Sequence, residues 1–332
     1  MLDLSRNINR EPICGKLAED LTACFQCIND YHEVAAVEVQ ERIAKVENYP
    51  KERICLVQST DEALDRMIQT QPQYRYVVML PTFDGFALRF KLLGFPITQH
   101  FCENRLHVSP ADIAFLQKED LLITASPNNP TGAVLNAETL AALEASGATA
   151  FIDETYVDYS ESGTILHQLS ERHFVFRSFS KSSGVAGLRL GVLFGPEEKI
   201  AKMRQLQWYC NMSTFSLRAI EHAYSCGCRN QHVEQVKEDR AKIEAWLLAQ
   251  RVSLLPSQGN FIAIEDADER LLRFFEGEKI HVKRTECFGL PGYLRISLGT
   301  REDNQQLMHS FGRFLKQTQQ ASQVPTQSQQ IA

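Results

Sequence analysis

The sequence predicts an α/β fold in two parts, a larger open-sheet unit followed by a smaller one. Two observations carry this reading. Short apolar runs, I-C-L-V (54–57), Y-V-V-M-L (76–80), L-L-I-T-A (121–125), A-T-A-F-I-D (148–153) and F-V-F (174–176), are separated by helical stretches and turns, the pattern of a repeating strand–helix series. The chain has 332 residues, beyond the roughly 250 to 300 at which a single core stops growing.

Taken in order, residues 1–16 read as a polar extended arm interrupted by Pro12. A helix follows to about residue 30, and another spans about Val34 to Glu47, where E-N-Y-P (47–50) breaks it, because the residue before a proline is driven out of the helical region. After the strand at 54–57, S-T-D-E (59–62) opens an amphipathic helix to about Gln69. Ser59 and Glu62 form a capping box, and the amides of Thr60 and Asp61 at the helix start suit a bound phosphate. The strand at 76–80 ends in P-T-F-D-G, which sets Phe83 just past a strand's carboxyl end, where ligands of open α/β sheets lie. Residues 95–101 form the next strand. The strand at 121–125 runs into S-P-N-N-P-T-G (126–132), a stiff turn that holds two amide side chains at the sheet rim before a helix begins near Ala137. The run at 148–156 delivers Asp153 and Tyr156 at its end. An acid buried there needs a cationic partner, and a protonated pyridine nitrogen is one such partner.

The stretch Phe174–Gly191 is the organising element. Its apolar start gives way to hydroxyls, Lys181, and then small residues leading to Arg189. Lys181 on a tight turn beside Ser178, Ser180 and Arg189 suits a phosphorylated aldehyde, the amine forming a Schiff base while hydroxyls and guanidinium hold the phosphate. Beyond it, helices are expected at 197–208, 214–226, 231–249 and 268–276, strands at 257–264, 280–284 and 293–300, and a final helix from about Glu302 to Leu315. Residues 317–332 are polar and glutamine-rich, too poor in apolar groups to pack, and are expected to be disordered.

Composition narrows the function classes. A formal net charge of -6 leaves no basic excess to neutralise nucleic-acid phosphates. Asp3, Arg6, Arg10, Glu11 and Lys16 are incompatible with a secretory apolar segment, and no apolar run approaches the roughly 18 residues of a membrane span, so a cytoplasmic protein is expected. Nine cysteines include a C-x-x-C (Cys24, Cys27) and a C-x-C (Cys226, Cys228), neither matched by a second half at zinc spacing. No metal site is expected.

Four separated phrases occur in one order: S-P-N-N-P-T-G, F-I-D-E-T-Y, R-S-F-S-K with the G-L-R-L-G after it, and L-R-I-S-L-G-T. Together they resemble fold-type-I pyridoxal-phosphate enzymes, and within them the histidinol-phosphate aminotransferase subgroup of the class I/II aminotransferases, over about residues 3 to 316. The resemblance implies a large domain (31–213) with a mostly parallel sheet in an α/β/α sandwich that binds pyridoxal 5′-phosphate. It also implies a smaller α+β C-terminal domain (214–316), an N-terminal arm (1–30) packing on the small domain or a partner, and a homodimer acting on amino acids and 2-oxo acids by ping-pong kinetics.

By the same resemblance, Lys181 is the Schiff-base lysine, Asp153 the partner of the pyridine nitrogen, and Asn129 with Tyr156 the pair facing the ring's phenolic oxygen. Ser178, Ser180 and Arg189, with the amides of Thr60 and Asp61, match the phosphate cup. Phe83 stands where a stacking tyrosine is usual, and Tyr49 matches a tyrosine that reaches the partner subunit's phosphate. Arg295 resembles the arginine that grips the substrate's acidic group, beside Asn129 and Lys283. Two positions depart from the pattern: Lys283 stands where an arginine is usual, and N-R-E-P puts Arg10 where an acid is common. The opening L-D-L-S-R-N-I-N resembles threonine-phosphate decarboxylases, which supplies the alternative reading, a decarboxylase on the same fold.

Overall fold

The structure is a computed structural model that describes residues 1–31, 33–207 and 211–323. The arm starts as a short strand, β1 (Leu2–Asp3), and leads to α1 (Gly15–Ala23), a 3-10 turn over Cys24–Cys27, and α2 (Glu33–Glu47). The strand–helix series then runs β2 (Ile54–Val57), α3 (Thr60–Thr70), β3 (Arg75–Leu80), α4 (Asp84–Leu92), β4 (Thr98–Phe101), α5 (Pro110–Ile113), β5 (Asp120–Ala125) and α6 (Ala137–Ser146). It continues with β6 (Thr149–Asp153), β7 (Phe174–Ser178), β8 (Gly191–Phe194) and α7 (Glu197–Gln205).

These strands make one seven-stranded sheet in the order β2-β8-β7-β6-β5-β3-β4. Neighbours from β7 to β4 are parallel, and β8 is antiparallel to both β7 and β2. β8 reverses because the turn that carries Lys181 leads straight back from β7 without a crossover helix. The apolar runs are continuous because both faces are covered. Val78, Ile123, Phe151 and Phe176 pack on one face with Phe86 and Phe90 of α4, while Val77, Leu122 and Ile152 pack on the other with Leu140 and Leu143 of α6. Each fully buried side chain of this size contributes about 1.5–3 kcal/mol of transfer free energy. In register, Ala125 meets Asp153 and Asp153 meets Phe176. The loops leaving β5, β6 and β7 therefore open level on one rim.

The remaining elements are α8 (Thr214–Ser225), α9 (Cys228–Ala249), β9 (Leu254–Leu255), β10 (Phe261–Glu265), α10 (Arg270–Gly277), β11 (Ile280–His281), β12 (Lys283–Arg284), β13 (Tyr293–Ser297) and α11 (Arg301–Gln323). An antiparallel sheet in the order β12-β13-β10-β9 builds a second core, in which Phe261, Ile264 and Ile296 meet Phe275, Leu307 and Phe311.

Three expectations need correction. The strand expected over 280–284 is two: Ile280 and His281 pair with the arm's Leu2 and Asp3, whereas Lys283 and Arg284 pair with β13. α8, expected to open the small domain at residue 214, packs instead with the large sheet's core, since its Leu217, Ile220 and Ala223 share a cluster with Val39 and Ile43 of α2 and Leu17 of α1. α11 continues to Gln323, so residues 317–323 of the expected disordered tail are helical; Gln317, Gln319, Gln320 and Ala321, which make up most of that stretch, are adequate helix formers. The rest of that tail, 324–332, lies outside the described residues.

Candidate active site

Asp153 ends β6 and is buried. One carboxylate oxygen accepts hydrogen bonds from the Thr155 amide (2.8 Å) and hydroxyl (2.5 Å), the other from the Thr60 hydroxyl (3.2 Å). These bonds favour the ionised form, yet burial outweighs them and pushes the carboxyl up to about 6. None of these hydrogen-bond partners is a cation, so the site is built to receive one.

Lys181 reaches toward the same cavity from the turn after β7, its Nζ donating to the Arg6 carbonyl at 3.2 Å. Burial, then the charges of Arg295 and Arg189, bring its ammonium down to about 8 against the pull of Asp153. An amine so shifted is neutral in a useful fraction near neutral pH. Around these two groups lies a cavity of about 200 Å³ whose wall includes Thr60, Asp61, Phe83, Asn129, Ser180 and Arg189. Ser178 lines it too, and its Oγ accepts the Ser180 amide at 3.2 Å. Arg189 takes a left-handed φ of 51°, which costs about 1–2 kcal/mol for a residue with a Cβ, and its side chain reaches the cavity wall.

α3 opens onto this cavity with its N-terminal end. Ser59 accepts the Glu62 amide at 3.2 Å, and the Glu62 carboxylate turns back to the Gln58 amide and to Arg66. The Glu62 carboxylate thus points away from a bound anion, as a dipolar anion site requires.

Phe83 is 37% exposed at the cavity mouth. Its ring lies against Gly85, where an added Cβ would stand 2.3 Å from Phe83 Cε1. A Gly85→Ala substitution should therefore displace the ring and weaken cofactor binding on the order of tenfold with the fold intact, since lost aromatic contacts of this kind cost about 0.5–1.5 kcal/mol. Absorbance titration with pyridoxal phosphate measures it, and unchanged affinity would remove Phe83 as the platform.

A second compartment, about 310 Å³, shares Lys181, Tyr156, Asn129 and Phe83 with the first and adds Arg6, Lys283 and Arg295. Arg295 is buried on β13 between the rings of Phe261 and Phe288. It donates to Asn129 Oδ1 at 2.7 Å and to the Ser5 carbonyl at 2.5 Å, and its Nε–H is buried without a partner. Lys283 pairs with Arg295 across β12 and β13, with its Nζ 5.4 Å from the Phe288 ring centroid. Tyr156 is buried edge-on to Phe261, its hydroxyl receiving Asn7 Nδ2 at 3.1 Å. Burial raises this phenol, with Arg295 and Asn7 acting in the opposite sense.

A family model described as Aminotransferase class I and II matches residues 1–311. The chain belongs to the class I and II aminotransferases. Among curated relatives, a histidinol-phosphate aminotransferase of Christiangramia forsetii is 27% identical over 86% of this chain and 85% of its own. A solved structure described as an aminotransferase, from Burkholderia pseudomallei, is 35% identical with a TM-score of 0.88 over 95% of this chain and 98% of that one. The histidinol-phosphate aminotransferase of Sinorhizobium meliloti, solved with pyridoxal 5′-phosphate, shares the fold at 17% identity and a TM-score of 0.83, covering 96% and 91%. L-threonine-O-3-phosphate decarboxylase from Porphyromonas gingivalis shares it at 18% and 0.80, covering 95% and 100%.

In this aminotransferase every sequence-predicted site residue but one lines the two compartments. The exception is Tyr49, which packs edge-on to Phe194 at 5.3 Å beneath the Arg53 guanidinium. Of the paired amides, Asn128 is structural: it bonds Thr82, Pro81 and Thr131 and ties two rim loops together. Thr60 contributes its side chain to Asp153, beyond the amide expected of it. Sequence reasoning missed Thr155 and the arm residues Ser5, Arg6 and Asn7. Thr155 carried a signal in its position two places after Asp153. Ser5 and Arg6 act on Arg295 and Lys181 through backbone carbonyls, which no side-chain pattern reveals.

Proposed function

We propose that this aminotransferase uses pyridoxal 5′-phosphate to move an amino group between an amino acid, or a phosphorylated amine such as histidinol phosphate, and a 2-oxo acid. The observation that carries this reading is the position of Lys181 between two anion-binding ends. Ser178, Ser180, Arg189 and the start of α3 stand at one, Arg295, Lys283 and Arg6 at the other. The first set fits the cofactor's phosphate, and the uncompensated Asp153 fits its ring nitrogen. When bound, the cofactor withdraws electrons from the bonds at the substrate's Cα.

The chain's own residues do the rest. Asp153 would hold a positive ring nitrogen, Asn129 and Tyr156 would stand at the phenolic oxygen, and the Lys181 amine would take the proton from the substrate's Cα. The second compartment, with Asp84 as one acid against three cations, selects a substrate with an acidic far end. Two half-reactions through one lysine give ping-pong kinetics.

Arg295→Lys should raise KM for the acidic substrate roughly 100-fold with a smaller change in kcat, because a lysine loses the planar fork and its several donors. Steady-state kinetics with acidic and neutral donors measure this, and equal losses on both would argue against a substrate contact. A donor and acceptor screen that follows conversion of the cofactor to its amine form, with carbon dioxide assayed in parallel, tests the reaction type. Keto-acid formation supports transfer, and carbon dioxide release would support the decarboxylase reading.

We also infer a homodimer. Phe25, Ile28, Val37 and Val46 on the α1–α2 side are exposed apolar side chains, a group of the kind that marks protein contacts. Tyr49, at the end of α2, is the residue offered to the partner's phosphate.

A further inference from the structure

We propose that Cys14, His222 and Cys226 form a zinc site, separate from the active site, that fastens the N-terminal arm to the α8–α9 junction. One donor atom from each of these residues lies within 4.8 Å of the others. A tetrahedral zinc with sulfur at ~2.3 Å and nitrogen at ~2.0 Å separates its ligands by roughly 3.5–3.8 Å, so closure about an ion needs side-chain movements of about an ångström.

Two further observations point to a ligand. His222 Nδ1 faces Asp20 Oδ2 at 3.4 Å, and its Nε2 is buried without a partner. With Nδ1 turned to a carboxylate, Nε2 is the ring nitrogen that remains to meet a metal, the carboxylate–histidine arrangement common at zinc. Finally, a cavity of about 340 Å³ adjoins all three side chains, with Glu11 and Arg229 also on its wall. Arg229 is turned toward Asp158 at 3.6 Å, and the fourth zinc position falls to water or Glu11.

Two thiols and an imidazole are a soft donor set that favours zinc over magnesium or calcium. The consequence lies at the far end of the arm, where Ser5, Arg6 and Asn7 contact Arg295, Lys181 and Tyr156. Zinc at Cys14 shortens the free length of that strap.

The test uses chelator-treated holoenzyme titrated with Zn²⁺ against a chromophoric chelator, and with Co²⁺ followed by its thiolate charge-transfer absorption. One equivalent should bind, with a tetrahedral cobalt spectrum and a zinc-dependent rise in Tm of about a few degrees. Cys14→Ser and Cys226→Ser should each lower affinity at least about 100-fold while keeping the cofactor absorbance and the circular dichroism, and Cys24→Ser should bind as the parent does. Failure to bind one equivalent, or undiminished binding by the Cys14→Ser/Cys226→Ser double variant, overturns the proposal. So does a stable Cys14–Cys226 disulfide in non-reducing peptide maps, which would make the pair a redox crosslink.

Discussion

Lys181→Ala loses turnover by at least about 10⁴-fold and loses the visible absorbance of the cofactor-loaded enzyme, with secondary structure unchanged. The size follows from removing the group proposed both to tether the cofactor and to carry the Cα proton, roles that collapse together. The lysine sits on the turn between β7 and β8, where its amine faces the Arg6 carbonyl and a cavity rather than a packed core. Truncation therefore leaves both sheets intact. Absorbance spectra and single-turnover assays check it, and a variant that keeps both the band and the rate removes Lys181 from the reaction.

Asp153→Asn moves two properties in opposite directions. Without cofactor, the folded chain holds the Asp153 proton up to about pH 6, against 3.8 for the free side chain. Between those values the native state carries more protons than the unfolded one. The stability this group confers is therefore complete below about pH 4 and lost as pH rises through 6, a change of about 3 kcal/mol. Asparagine removes that loss, so the cofactor-free variant should melt above the parent at pH 8, by a margin that disappears toward pH 4. Turnover should fall roughly 100- to 1000-fold, because the fixed negative charge that stabilises a positive ring nitrogen is gone. Thermal melts across pH 4 to 8 with steady-state rates check both effects, and superimposable melting curves would show that the buried acid carries no such cost.

The sheet and most of its site were legible because the information is local. A run such as L-L-I-T-A is buried on both faces and reads as a strand from composition alone. Asp153, Asn129 and Lys181 each follow such a run, so their place at the rim follows from chain order. The boundary at 214 was misplaced for the converse reason. The apolar face of α8 suits either core, and only the position of α2 decides that it joins Val39 and Ile43.

By itself, then, the sequence determined the order in the chain of the rim's chemistry, helix start, amide turn, acid, lysine and arginine, each tied to a strand end a few residues away, while the sheet set the helix start beside the lysine turn. The tertiary structure alone decided what crosses that rim. The arm's carbonyls on Arg295 and Lys181, the Thr60 hydroxyl on Asp153 and the meeting of Cys14 with His222 and Cys226 join residues far apart in the chain. Backbone carbonyls are the same at every position, and a long-range contact depends on how two separate cores dock. Neither leaves a local pattern in the order of the residues.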